Sequence, residues 1–237
     1  MSSIVRTVLR VGVAAALLGL CVPAGAQWTG SRMGKTVSTG TKDVTTVVNL
    51  IGKCMGSHIG LARTWLNTLP GSKEEVDFFN ARLGNLEQCM QDTRIAIANR
   101  ELTVDPAHLR HPIAIEAARR ILDSAPADFQ PAKDSPPWFD APLKSLGQGA
   151  VVDRADLGLQ DFGHCVATTN WTSTRAFLRS KPDSREQADA LKGLVPTLGP
   201  CMPVGTNITL TPAVLRVALS EPAFHIVDAA IAGRLKT

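Results

Sequence analysis

The chain has 237 residues, 44% of them hydrophobic and 19% charged, with a formal net charge of +4. That length suits one domain or two small ones. The basic residues are scattered rather than clustered, which excludes a nucleic-acid binder.

Residues 1–26 read as a secretory signal peptide. Arg6 and Arg10 form a basic start, and Val11 to Leu20 is an apolar stretch too short to anchor in a bilayer. Ala24-Gly25-Ala26 then offers a small-residue cleavage site before Gln27. Leu20 stands before Cys21, where a lipid-attachment signal needs a small residue. Removing Arg6 and Arg10 leaves 23 basic against 21 acidic residues, a formal charge of +2. No later stretch is long and apolar enough to cross a membrane.

Residues 27–41, rich in Gly, Ser and Thr, read as a flexible lead-in. Residues 42–123 read as a first helical unit. Val44, Val47, Val48 and Ile51 recur at helical spacing up to Cys54, and a second helix through Trp65 and Leu66 ends near Pro70. Ser72 with Glu75 forms a capping box that starts a helix running from Lys73 to about Met90. Leu102 and Val104 alternate with polar residues in a short extended segment. Asp105-Pro106 starts a further helix with Leu109, Ile113, Ala117 and Ile121 on one face and a kink expected at Pro112. Residues 124–154 read as a Pro-rich linker in which Trp138 and Phe139 dock onto a neighbouring unit.

Residues 155–237 repeat the plan. Helices are expected over Ala155 to Val166, Ser173 to Leu178, Arg185 to about Leu198 and Pro212 to Leu235, the last kinked or broken at Pro222. Gly52 and Cys54 align with Gly163 and Cys165. Arg63, Trp65, Pro70, Ser72 and Glu74 align with Arg175, Phe177, Pro182, Ser184 and Glu186, and Cys89 and Met90 with Cys201 and Met202. Ser184 with Gln187 is the second capping box, and Thr211-Pro212 answers Asp105-Pro106. Ile208 and Leu210 answer Leu102 and Val104, and the two extended segments are candidates to pair with each other. Such agreement points to an internal duplication of a helical unit.

Four cysteines follow the signal, an even number that reads as two disulfides in an exported chain. Three pairings are open. The duplication favours Cys54 with Cys89 and Cys165 with Cys201. Each bridge would contribute on the order of 3–4 kcal/mol through loop-closure entropy.

Catalytic patterns are sparse. There is no Cys-x-x-Cys pair, phosphate loop, nucleophile elbow or dinucleotide fingerprint. His108 and His111 are spaced to share a metal, but copy two has Val214 and Val217 there and no third ligand is apparent, so no metal site is expected. His164 precedes Cys165, yet neighbours on a helix point apart and Cys165 is expected in a bridge. Glu74 with Glu75, and Glu101 with Asp105, are carboxylate pairs; the first two sit in a helix's first turn, where the dipole favours them. Asn170-Trp171-Thr172 and Asn207-Ile208-Thr209 have the form of glycosylation sequons. Arg63, Arg110, Arg175 and Arg216 align in pairs. They either cap carbonyls of neighbouring helices, the favoured reading, or line a groove for an acidic ligand.

Paired cysteines about 35 residues apart, a Pro70-Gly71-Ser72 or Pro182-Asp183-Ser184 helix start, and a Leu109-Arg110 or Leu215-Arg216 helix after the second cysteine resemble a set of exported bacterial proteins. Those proteins carry a duplicated two-cysteine helical repeat, and the resemblance implies a fold but no activity and no catalytic residues. Cys201-Met-Pro-Val-Gly with Leu210 and Leu215 is also similar to helical periplasmic immunity proteins; Cys89-Met-Gln-Asp in the first copy departs from that pattern. The expected fold is all-α, two homologous disulfide-stapled helical units with a short strand in each. The expected protein is a non-catalytic binding or structural module of the cell envelope, periplasmic or secreted, without a cofactor. Its partner is a protein or envelope component. An immunity-type protein with one protein partner is the rival. An envelope hydrolase would need a deep cleft holding acidic residues or a histidine.

Overall fold

A computed structural model describes residues 8–9, 44–92, 102–103, 106–147, 150–203 and 209–233. The fold is all-α. Helices α1 (Val44–Ser57), α2 (Ile59–Leu66), α3 (Lys73–Ala81), α4 (Leu83–Asp92) and α5 (Pro106–Ile121) form the first half. The short α6 (Asp140–Ser145) lies in the connection, and α7 (Arg154–Thr169), α8 (Trp171–Arg179), α9 (Arg185–Cys201) and α10 (Pro212–Ile231) form the second half. Among the described residues the only strand contact is antiparallel and two residues long, Val8 opposite Thr103 and Leu9 opposite Leu102. Leu102 and Thr103 thus pair with Val8 and Leu9. Thr209 and Leu210 take no strand, and Ile208 lies outside the described residues.

Both capping boxes form. Ser72 Oγ accepts from Glu75 N and Ser184 Oγ from Gln187 N, each at 3.2 Å. The returning side chains reach one residue further back than a standard box, to Gly71 N (2.7 Å) and Asp183 N (2.9 Å). That reach follows from the left-handed backbone at both positions, φ +69° at Gly71 and +60° at Asp183. The helix expected from Lys73 to Met90 is split. Arg82 leaves helical geometry, and Asn80, Gly84 and Asn85 are weak helix formers around the break. Its counterpart α9 runs unbroken through Pro196.

The disulfides are Cys54–Cys89, tying α1 to α4, and Cys165–Cys201, tying α7 to α9, each with Cα atoms 5.6 Å apart. Helices α5 and α10 lie at the centre and pack on each other; α1 covers α5 and α7 covers α10. Glycines permit the two outer crossings. A Cβ on Gly52 would sit 2.5 Å from Pro112 Cβ, and one on Gly163 would sit 1.9 Å from Ala218 O. Pro222 Cγ also lies by Gly163, so helix prolines fill space that the glycines leave, and α10 continues unbroken through Pro222. Residues of both halves enter one apolar cluster, and Ala218 through Asp228 of α10 are buried on every side, as befits a central helix. Phe129 of the connection joins this cluster. Phe139 forms a second one with Leu69 and Leu157.

Gly163→Ala is expected to lower stability by about 1–3 kcal/mol or more, because the α7–α10 crossing must open. Gly158→Ala, on the same helix with nothing near its Cβ direction, is expected to raise it by about 0.5–1 kcal/mol. Urea unfolding of the oxidised proteins separates the two; equal effects would refute this account of the crossing.

Candidate functional site

Arg110 projects from α5 into the interior and is only 1% exposed. Its Nη1 donates to Glu75 Oε1 at 2.7 Å, and its Nε and Nη2 fork onto the Glu221 carboxylate. Nη2 also donates to the carbonyls of Leu66 (3.1 Å) and Thr68 (2.8 Å), where α2 ends. Glu75 Oε1 takes a further hydrogen bond from Trp65 Nε1 at 3.1 Å. Four elements therefore meet on one guanidinium. His225, one turn beyond Glu221 on α10, lies 3.1 Å from Leu66 O through Nε2. A carbonyl only accepts, so Nε2 carries the hydrogen.

The connection seals this cluster. Trp138 stacks on His225 with ring centroids 4.1 Å apart, donates to Gln160 Oε1 at 2.8 Å, and has the Arg110 guanidinium 5.9 Å from its ring centre. Asp156 of α7 forms the outer edge, 3.9 Å from Arg110 Nε and 3.7 Å from His111. Its Oδ1 is buried without a hydrogen-bond partner.

Proton affinities follow from these neighbours. Burial opposes the charge of Arg110, but Glu221 and Glu75 outweigh it and hold the guanidinium more firmly protonated than usual. Burial likewise opposes ionisation of Glu221, and the Arg110 guanidinium overcomes it and keeps this carboxyl below the usual range. Burial lowers the pKa of His225, which favours a neutral ring. Asp156 is pushed up to about 6 by burial and by the charge of Glu221, against the pull of His111 and Arg110. Perturbed acids of this kind often mark active sites. Here Glu221 of α10 is bound to Arg110 of α5, and Asp156 of α7 stands 3.9 Å from the same guanidinium.

The aligned arginines occupy separate places. Arg216 of α10 donates to the carbonyls of Leu178 (2.9 Å), Phe177 (3.1 Å) and Ser180 (3.0 Å), so it caps α8 as Arg110 caps α2. It has no carboxylate: Gln187 stands in the place of Glu75, and Ile115 of the first half in that of Glu221. Burial alone lowers its pKa. Arg63 of α2 pairs with Asp228 of α10 at 2.8 Å. Arg175 of α8 donates to the carbonyls of Leu122, Ala125 and Pro126 at the end of α5. His164 Nε2 lies 2.8 Å from Ser135 O, and its neighbour Cys165 is bridged.

Arg175 also lines a surface groove of about 220 Å³ between the connection and α8. Its floor is Phe129 edge-on to Trp171, with centroids 5.6 Å apart. Thr172, Ala176 and Arg179 form the outer wall, Arg179 held 3.0 Å from Asp123. Trp171 Nε1 and Arg175 Nε are buried there without an acceptor. An apolar floor with Arg175 and Arg179 beside it suits a ligand that brings an apolar group.

Two tests address the buried cluster. Arg110→Met strands two carboxylates and is expected to cost about 3–5 kcal/mol. Arg216→Met strands none and is expected to cost about 1–2 kcal/mol. Similar losses in denaturant unfolding would contradict the difference. Asp156 holds its proton up to about pH 6 when folded and releases it near 3.8 when unfolded. Its contribution to stability is therefore full below about pH 4 and lost as the pH rises through about 6. His225 runs the other way, its lowered pKa contributing stability at neutral pH that is lost on acidification below its ordinary 6.5. Asp156→Asn removes the first effect alone. Its stability relative to the parent is expected to rise by about 2 kcal/mol between about pH 4 and pH 7, and a flat difference would refute the assignment.

Compared with known proteins, the chain matches no family model, no curated protein and no solved structure.

Proposed function

We propose that the protein is an exported, non-catalytic binding module of the cell envelope, formed by duplication of one helical unit, that takes a single side chain of a protein partner in the groove beside α8. Two disulfides support export, since such bonds persist in oxidising compartments. No helix among the described residues is long and apolar enough to cross a membrane. The duplication is supported by matched bridges, matched caps and matched arginines at the ends of α2 and α8.

The groove carries the reading. At about 220 Å³ it falls below the ~300–1,000 Å³ of ordinary small-molecule sites and has room for one side chain. Trp171 and Arg175, residue types that dominate binding hot spots, line it. Among the described residues no acid lines this groove, and two acids with shifted proton affinity, Glu221 and Asp156, stand at Arg110.

A photo-crosslinking side chain at exposed Thr172 is expected to capture one discrete partner in intact cells. The same probe at Lys192, on the outer face of α9, is expected not to. Ala176→Trp, which fills the groove from its rim, is expected to reduce the Thr172 adduct at least fivefold. Equal adducts from both positions, or an adduct indifferent to Ala176→Trp, would refute the reading.

A further inference from the structure

The first disulfide has a neighbour that the second lacks. His58 occupies the N-cap of α2, and its counterpart at the N-cap of α8 is Asn170. Asn170 behaves as a cap should: its Oδ1 accepts from Ser173 N at 3.2 Å and its amide donates to Gly193 O at 2.9 Å. His58 makes no side-chain cap bond. Its ring lies at the bridge instead, where one imidazole nitrogen and the sulfurs of Cys54 and Cys89 all fall within 4.8 Å of one another. His58 is exposed, Cys54 half-buried and Cys89 buried, so the group opens to solvent on one side.

Tetrahedral zinc, with Zn–S about 2.3 Å and Zn–N about 2.0 Å, needs its ligand atoms roughly 3.5 Å apart. The Cα atoms of Cys54 and Cys89 stand 5.6 Å apart, and rotation about each Cα–Cβ bond moves released sulfurs away from each other. We propose that the Cys54–Cys89 pair, once reduced, closes with His58 around a zinc ion and leaves the fourth position to water. A dithiol reductant supplies two electrons and two protons. The Cys54–Cys89 sulfur–sulfur bond breaks, two thiols form, and the donor becomes a disulfide. Zinc then displaces both thiol protons to solvent and takes the lone pair of neutral His58. Two thiolates and an imidazole favour zinc over calcium or magnesium. α1 and α4 stay joined in both states, by a covalent bond in one and by the metal in the other. Cys165 and Cys201 have Thr169 and the already engaged Asn170 at the corresponding place, so they form no such site.

The test uses the mature chain, reduced without oxygen by a phosphine and titrated with zinc against a chromophoric chelator, with helicity followed by circular dichroism. One equivalent is expected to bind. Cys165→Ser with Cys201→Ser is expected to keep that affinity. His58→Asn is expected to weaken it at least about tenfold, while raising the Tm of the oxidised protein by restoring the cap, which shows that the variant folds. Equal zinc affinity in parent and His58→Asn overturns the proposal. So does zinc that is lost with Cys165 and Cys201, or a reduced chain that loses its helices and does not regain them with zinc.

Discussion

A guanidinium in an apolar interior must be fully partnered, and that requirement at Arg110 organises the molecule. Placing a charge there without compensation costs several kcal/mol, so every donor needs an acceptor already in position. The acceptors come from α2, from the start of α3 and from α10. Glu75 can serve only because its capping box fixes it in the first turn of α3. Glu221 can serve only because α10 passes through the centre rather than along the surface. The ion pairs thus fix register more than they add net stability: a half-turn slip of α10 would take Glu221 from Arg110 and Asp228 from Arg63. Trp138 completes the device by keeping water out.

The two halves solve one problem in two ways. Each places an arginine at the end of its second helix, and each fills the adjoining position with a buried aromatic, Trp65 or Phe177. In the first half the arginine is saturated with carboxylates. In the second it meets carbonyls, the Ser180 hydroxyl and the Phe177 ring, 5.0 Å away, and stays half-buried. A strict copy of the ionic cage would have set a second Arg and two more acids beside the first, around the same α5–α10 contact. Gln187 and Ile115 in the matching places keep the charge at one end of that contact.

Much of this plan was legible in the sequence, because local rules sufficed. The capping boxes needed only residues three apart, and the bridges followed from pairing cysteines within each copy. Trp138 and Phe139 were expected to dock because two large aromatics in a connection are poorly left in water, and they do. What escaped depends on three-dimensional neighbours. Glu221 and His225 stand one turn apart in an otherwise apolar stretch, a visible sign of buried polar work, but Pro222 drew attention to a break instead. Nothing near Asp156 in the sequence announces the charges that surround it. The split at Arg82 rests on small propensity differences, and α9 continues across Pro196 although proline is the poorer helix former.

The groove lies where the two halves of the chain differ. Within each half the second-turn arginine of the short helix faces the end of the other half's central helix. Arg63 meets a side chain there, Asp228. Arg175 meets carbonyls, because α5 gives way to the connection at that point. The connection then brings Phe129 against Trp171, where the first half has Ile59. A concave apolar surface forms at that end because a linking segment had to leave α5 and return to α7. The two halves share one helical scaffold, and the connection between them makes this end of the molecule unlike the other.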